Sequence, residues 1–333
     1  MTVIMKRLLT TGIAAFIIGF TFFGTSSLTY AQENTTGNGL EISPALVELN
    51  AVRGSTYTIN MNVTNVTEND LSFESFVNDF GSRDETGTPR VILDETPEMS
   101  ALSIKNWVDS IADFNLKPHE KKKLVAIITI PGNAEPGGHY GVIRFSGKDK
   151  NAPISTVDLT ASAGTLILIK VDGTISEKLK LATFEATKNS KASSSFEAGP
   201  ITFVTRFENT GNTHVKPIGN IEVTDIFGNK VDTLKINPEE GNVLPSSTRR
   251  FEATLDKPWL IGRYNADIRI AYGTTGGAIV ESITFWVIPY KILLVGLVAL
   301  ITIIYILRTL IKRYNSYIRR TAPYASKKKH QKK

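Results

Sequence analysis

The side chains with the widest chemical reach in this 333-residue sequence are four histidines, a short acidic run and three tryptophans. An imidazole does acid–base work when a nucleophile, carboxylate or metal stands beside it. His119 and His214 sit among turn-forming residues and read as solvated, and His330 falls in the terminal basic stretch. His139, in "GGHYG", is the candidate ligand contact: with Tyr140 it would project from a loop toward a sugar, unless Tyr140 is drawn into a core. Asp79, Asp84 and Glu85 in "NDFGSRDETG" supply oxygens of the kind Ca²⁺ takes, without the spacing of an EF-hand, and read first as a solvated turn. Trp107, in "SIKNWVDSI", either offers an apolar face for a sugar to stack on or closes the end of a core. Trp259, in "DKPWLIG", is expected to pack beneath its proline loop.

Catalytic signatures are missing. The sequence has no G-x-S-x-G elbow, no H-E-x-x-H, no P-loop and no cysteine nucleophile. Paired carboxylates for glycoside hydrolysis are a spatial arrangement, and nothing in the sequence marks a pair. The expectation is a non-enzymatic binding protein without cofactor or metal.

Charge narrows the partner. Ten Lys and Arg lie from Arg308 onward with no acid among them, and Lys6 and Arg7 lie at the start; removing those twelve from a formal net charge of +6 leaves −6. A mildly acidic body with basic ends does not suit nucleic acid, and the ends have a membrane explanation. Residues 1–31 follow the order of a secretory signal peptide: cations at Lys6 and Arg7, an apolar run from Ile13 to Phe23, then small residues up to Ala31. A retained N-terminal anchor fits less well, because Thr21, Thr25, Ser26 and Ser27 weaken it as a span.

At the other end, Ile292 to Leu307 carries no charge. Residues 288–310 are read as a transmembrane helix, and 311–333 as a basic cytoplasmic tail placed by the positive-inside bias and touching anionic lipid. Trp286, Tyr290 and Lys291 are assigned to one membrane interface and Arg308, Lys312 and Arg313 to the other. The protein is therefore expected in the plasma membrane with one span and its ectodomain outside the cell. The absence of cysteine in such an ectodomain excludes disulfides and points toward a bacterial surface.

Between the ends the hydrophobic period is two. "YTINMNV" sets Tyr57, Ile59, Met61 and Val63 on one face, and "RYNADIRIAY" does the same for Tyr264, Ala266, Ile268, Ile270 and Tyr272. "KLVAIITI" and "TLILIKV" are apolar throughout and suit central strands. One pattern occurs twice, in "LKPHEKKKLVAIITIPGNAEPGGHYGVIRF" from Leu116 and "VLPSSTRRFEATLDKPWLIGRYNADIRI" from Val243, each preceded by a strand ending in an asparagine turn. The repeat aligns Tyr140 with Tyr264 and so makes Tyr140 a core residue. The fold expected is all-β: two tandem immunoglobulin-like β-sandwiches, 38–172 and 173–287, followed by one transmembrane α-helix. The first sandwich carries an extra segment, roughly 78–115.

"EISPALVELNAVRGSTYTINMNVTN", "NDFGSRDETGTP" and "LKPHEKKKLVAIITIPGNAEPGGHYGVIRF" resemble the first domain of bacterial cell-surface proteins of the WxL-interacting type. The resemblance implies a signal peptide, a first domain tied to peptidoglycan binding, a second Ig-like domain for a protein or host partner, one span and a basic tail. It also implies a secreted WxL-domain protein as partner. The second sandwich, with "ENTGNTHVKPIGNIEVTDIFGNKV", looks like a generic bacterial Ig-like domain. The alternative function is a membrane-tethered scaffold or assembly subunit that holds other surface proteins by sandwich-edge contacts.

Overall fold

A computed structural model describes residues 39–93, 102–149 and 161–321. The expected signal peptide and the last twelve residues of the basic tail, His330 included, lie outside the described residues.

The strands of the first sandwich are β1 (Leu40–Ser43), β2 (Leu46–Ala51), β3 (Thr56–Asn65), β4 (Leu71–Ser82), β5 (Pro89–Ile92), β6 (Phe114–Leu116), β7 (Lys121–Thr129), β8 (Gly137–Asp149) and β9 (Ala161–Val171). One sheet has the order β1-β3-β7; the other runs β2-β9-β8-β4-β5, with β6 also on β4. The chain crosses between sheets at Pro44, so β1 pairs antiparallel with β3 while β2 pairs parallel with β9. Alternation drives the packing. Ile59, Met61 and Val63 of β3 meet Phe73, Phe145, Ile167 and Ile169 of the opposite sheet in one core. The "TLILIKV" run is central, as expected. The "KLVAIITI" run is not: among the described strands β7 lies at the edge of its sheet, bridged beyond only by Val108 and Asp109, and one face of that sheet is uncovered, so Val125 and Ile127 face outward while Leu124, Ala126 and Ile128 face the core.

The second sandwich comprises β10 (Leu179–Lys188), β11 (Lys191–Ala192), β12 (Ser195–Phe196), β13 (Ile201–Asn209), β14 (Ile218–Asp225), β15 (Lys230–Ile236), β16 (Thr248–Leu255), β17 (Gly262–Tyr272) and β18 (Gly277–Val287). Its sheets are β11-β10-β13-β16 and β12-β18-β17-β14-β15. Phe203 on one and Phe285 on the other meet edge to face with ring centroids 5.6 Å apart, at the centre of a core that includes Phe207, Ile221, Val223, Ala266 and Ile268.

The sequence repeat has a structural counterpart in two buried asparagines. Asn65 ends β3 and its Nδ2 donates to the carbonyls of Asn69, Leu116 and Lys117. Asn209 ends β13 and donates to those of Thr213 and Val243. Leu116 and Val243 open the two copies of the repeat, so the same amide clamps the same turn in each sandwich.

Helix α1 (Tyr290–Thr321) follows β18 almost at once. Its 32 residues extend about 48 Å at 1.5 Å per residue, more than a hydrocarbon core of about 30 Å requires. It is long and apolar enough to cross a membrane, and none of its most apolar stretch is buried in the protein. The helix continues past residue 310, where the span was expected to end, so the first part of the basic stretch is helical.

Candidate binding site at the junction of the two sandwiches

The strand ends of the first sandwich meet the loops of the second through polar contacts. Asn212, in the β13–β14 loop, accepts from Gly138 N through its carbonyl (2.8 Å), donates from Nδ2 to Pro136 O (3.2 Å) and Thr174 O (2.9 Å), and accepts from Ser176 N at Oδ1 (2.7 Å). The glycines of "PGGH" make this approach feasible. Gly137 has φ +125°, and a Cβ there would come within 2.5 Å of the Asn212 carbonyl.

Charge pairs flank this contact. Lys216 Nζ and Asn242 Nδ2 both donate to the Glu48 carboxylate, at 2.8 and 2.6 Å. Arg206 donates to Glu85 at 2.7 Å, and the Glu85 carbonyl accepts from Arg250 N at 2.6 Å. Lys170 of β9 donates at 2.8 Å to Glu177, whose side chain is only 2 % exposed and also accepts from Thr274 N and Oγ1. Burial pushes the Glu48 and Glu177 carboxyls up, but the donors facing them outweigh it and both end below the usual carboxylate range.

The predicted site residues are found at this junction. Tyr140 is buried with Phe80, Val142 and Leu168, as its alignment with Tyr264 requires. The two tyrosines then differ: the Tyr264 hydroxyl bonds Ile261 in its own loop, while that of Tyr140 lies 3.3 Å from Nδ1 of His214 in the other sandwich. His214 is therefore not the solvated loop residue expected. It is 9 % exposed, and burial together with nearby Lys170 pushes its pKa down to about 4. No local signal marks it, because its partner is 74 residues away.

His139 is buried too, with Nε2 2.9 Å from the Glu135 carbonyl and Nδ1 unpartnered. Burial lowers its pKa, so it is a neutral imidazole at neutral pH. Its ring lies against Trp107, centroids 4.4 Å apart. Trp107 ends a 3-10 turn, Lys105–Trp107, and is half-buried against the first core with Val108 and Ile111. Beside His139 an open cleft of about 650 Å³ lies between the sandwiches, its polar wall formed by Glu135, His139, Thr174, Asn212 and Ser246.

The other candidates lie elsewhere. His119 is exposed, 3.0 Å from Glu68. The acids of the 79–85 loop do not converge: Asp79 accepts from Ser103, Asp84 from Thr86, and Glu85 from Arg206. Among the described residues no group of His, Asp and Glu is arranged to hold a metal ion. Trp286 is 45 % exposed on β18, Tyr290 opens α1, and Lys291 pairs with Glu197 at 2.8 Å. Arg308, Lys312 and Arg313 are exposed along α1. Trp259 does not pack beneath its loop; it is 80 % exposed.

No family model matches the chain, and no curated protein matches it. Solved structures align across most of it at low similarity. The YadV chaperone is 10% identical over 74% of this chain and 100% of its own, with a TM-score of 0.36. The class 5 fimbriae chaperone CfaA is 9% identical over 73% and 98%, TM-score 0.38. The Salmonella enterica SafA pilin–SafB chaperone complex matches at 14% identity over 74% and 96%, TM-score 0.33. At such scores neither fold nor function is taken from them. The architecture rests on the strand order and cores described above.

Proposed function

We propose that this chain is a non-enzymatic bacterial surface protein, held in the plasma membrane by α1 with its basic end in the cytoplasm, whose ectodomain binds cell-wall peptidoglycan at the cleft between the sandwiches. The observation that carries the reading is the composition of that cleft. The exposed Glu135 carboxylate and the Thr174 and Ser246 hydroxyls, contributed by both sandwiches, suit the many hydroxyl and amide groups of a wall glycan, while buried His139 and the Asn212 carboxamide are engaged in the junction itself. Hydrogen bonds from His139 to the Glu135 carbonyl, from Asn212 to the Thr174 carbonyl and from the Ser246 amide to the Asn209 carbonyl hold the backbone beneath these side chains, which lowers the entropy cost of binding. Co-sedimentation of the full chain, in detergent, with purified wall sacculi tests the proposal, and absence from the pellet removes the glycan.

The second reading is a tethered scaffold for a surface protein, a WxL-domain protein in the expectation drawn from the resemblance. It is favoured by β1, which among the described residues pairs with β3 on one side only. Such an edge accepts a strand from a partner. Cross-linking in intact membranes that captures one abundant protein while the wall pellet stays empty would select this reading.

A further inference from the structure

The three most exposed large hydrophobic side chains among the described residues are Phe227 (85 %), Trp259 (80 %) and Ile261 (72 %). Single exposed hydrophobics are ordinary; three in two adjoining loops are not. Strand register places both loops at one end of the second sandwich. Asp225, the last residue of β14, lies opposite Tyr264 near the start of β17, and Ile226 and Phe227 continue beyond it. Gly262, the first residue of β17, lies opposite Val287, the last of β18, so Trp259 and Ile261 precede it on the same side. That is the end from which α1 leaves, tied to the sandwich by Ile288 N donating to Phe196 O at 2.8 Å and by the Lys291–Glu197 pair.

The loops are built to hold these side chains outward. Asp225 accepts from the amides of Phe227 and Asn229 at Oδ1, and from the Asn229 carboxamide at Oδ2, closing a tight turn that leaves Ile226 and Phe227 at its tip. In the other loop Leu260 is buried in the core and the Tyr264 hydroxyl bonds Ile261, so Trp259 and Ile261 on either side of Leu260 face away from the protein. Most charges nearby are already paired: Lys257 with Asp232 and Lys291 with Glu197, while Lys188 donates to the Ala198 and Gly199 carbonyls. Exposed Arg263 and Asp256 offset one another. With exposed Lys230 offset by Asp225, Lys188 is left as one excess cation, too little to attract a polyelectrolyte, and a cluster of Trp, Phe and Ile on rigid tips in such a setting matches the headgroup–acyl boundary of a bilayer.

We infer that this end of the second sandwich is seated in the outer lipid leaflet, with Phe227, Trp259 and Ile261 inserted around the base of α1. The inference rests on the membrane-anchoring part of the function proposed above. It makes the ectodomain a fixed pillar, with the cleft and the first sandwich held away from the membrane at a set height and tilt.

The test uses the full chain in phosphatidylcholine nanodiscs, with two single-tryptophan versions that retain Trp259 or Trp286 and carry Phe at the other two positions, each checked for a wild-type thermal transition. Lipids brominated high on the acyl chain are expected to quench both tryptophans, and aqueous iodide to lose its access to Trp259. Ile226→Ser with Phe227→Ser should restore iodide access to Trp259 and leave Trp286 quenched. A flexible Gly/Ser insertion between Ile288 and Pro289 should leave Trp259 quenched, because its own affinity holds it in the lipid. Quenching of Trp286 without Trp259, or loss of Trp259 quenching on that insertion, overturns the seating while the anchor stands. Quenching of neither overturns the anchor as well.

Discussion

The Tyr140 hydroxyl of the first sandwich lies 3.3 Å from Nδ1 of His214 in the second, with both residues buried. Neutral His214 fits this place; protonated His214 does not, chiefly because burial takes the charge out of water, and also because Lys170 and Lys216 lie close by with Glu48 and Glu177 in partial opposition. The unfolded chain takes up the proton near pH 6.5 and the folded chain only near 4. Between those values the unfolded state holds more protons, so stability is full above about 6.5 and falls as the pH falls, by up to about 3 kcal/mol. Urea unfolding from pH 7 to 4 should show that slope, and His214→Gln should reduce it, leaving the smaller contribution of buried His139, whose pKa is also lowered. The acid limb from Glu48 and Glu177, whose folded pKa values lie below the usual range, should remain below about 4.5.

Gly137→Ala should loosen the two sandwiches from one another. The added Cβ would strike the Asn212 carbonyl, and the φ of +125° is one that alanine rarely adopts. Calorimetry of the wild type should give a single transition for the ectodomain, and the variant should give two. One unchanged transition in the variant would mean that the junction does not couple the domains.

Lys170→Met removes the cation from a carboxylate that is almost wholly enclosed. Glu177 would keep Thr274 but lose its charge partner, at a cost of about 3 kcal/mol. Lys170→Met combined with Glu177→Gln should recover most of it. The double-mutant cycle reads the difference from denaturation midpoints.

Asn65→Ala and Asn209→Ala should be a matched pair. Each removes the buried amide that clamps its turn, leaving Val243 O with Val215 N and Lys117 O with Glu120 N as remaining donors, and each should lose about 1–3 kcal/mol in urea unfolding. A large loss at one position and none at the other would deny their equivalence.

Much of this architecture was legible from spacing alone. The period of two in "YTINMNV" and "RYNADIRIAY" names the faces that are buried, because a strand has only two faces. The G-x-Y repeat placed Tyr140 in a core for the same reason. What spacing could not carry was tertiary. "KLVAIITI" reads as a central strand, yet nothing local says that no further strand pairs beyond it. His214 looks like any turn histidine until Tyr140 is brought to it from the other sandwich. Trp259 reads as a residue its proline would cover, but buried Leu260 takes the inward place and turns its neighbour out. In the candidate site, His139 was visible as an unusual residue among glycines, whereas Asn212, Thr174 and Ser246 were not, since each is an ordinary turn residue until both sandwiches are in place.

The most direct test of the central claim is a wall-binding isotherm with the cleft open and blocked. Full chain in detergent is titrated with purified sacculi beside Thr174→Arg, a substitution at an exposed position on the cleft wall that leaves both cores untouched. The account predicts saturable retention of the wild type, at least about tenfold weaker in the variant, corresponding to about 1.4 kcal/mol. Equal retention of the two proteins, or none of the wild type, would contradict it.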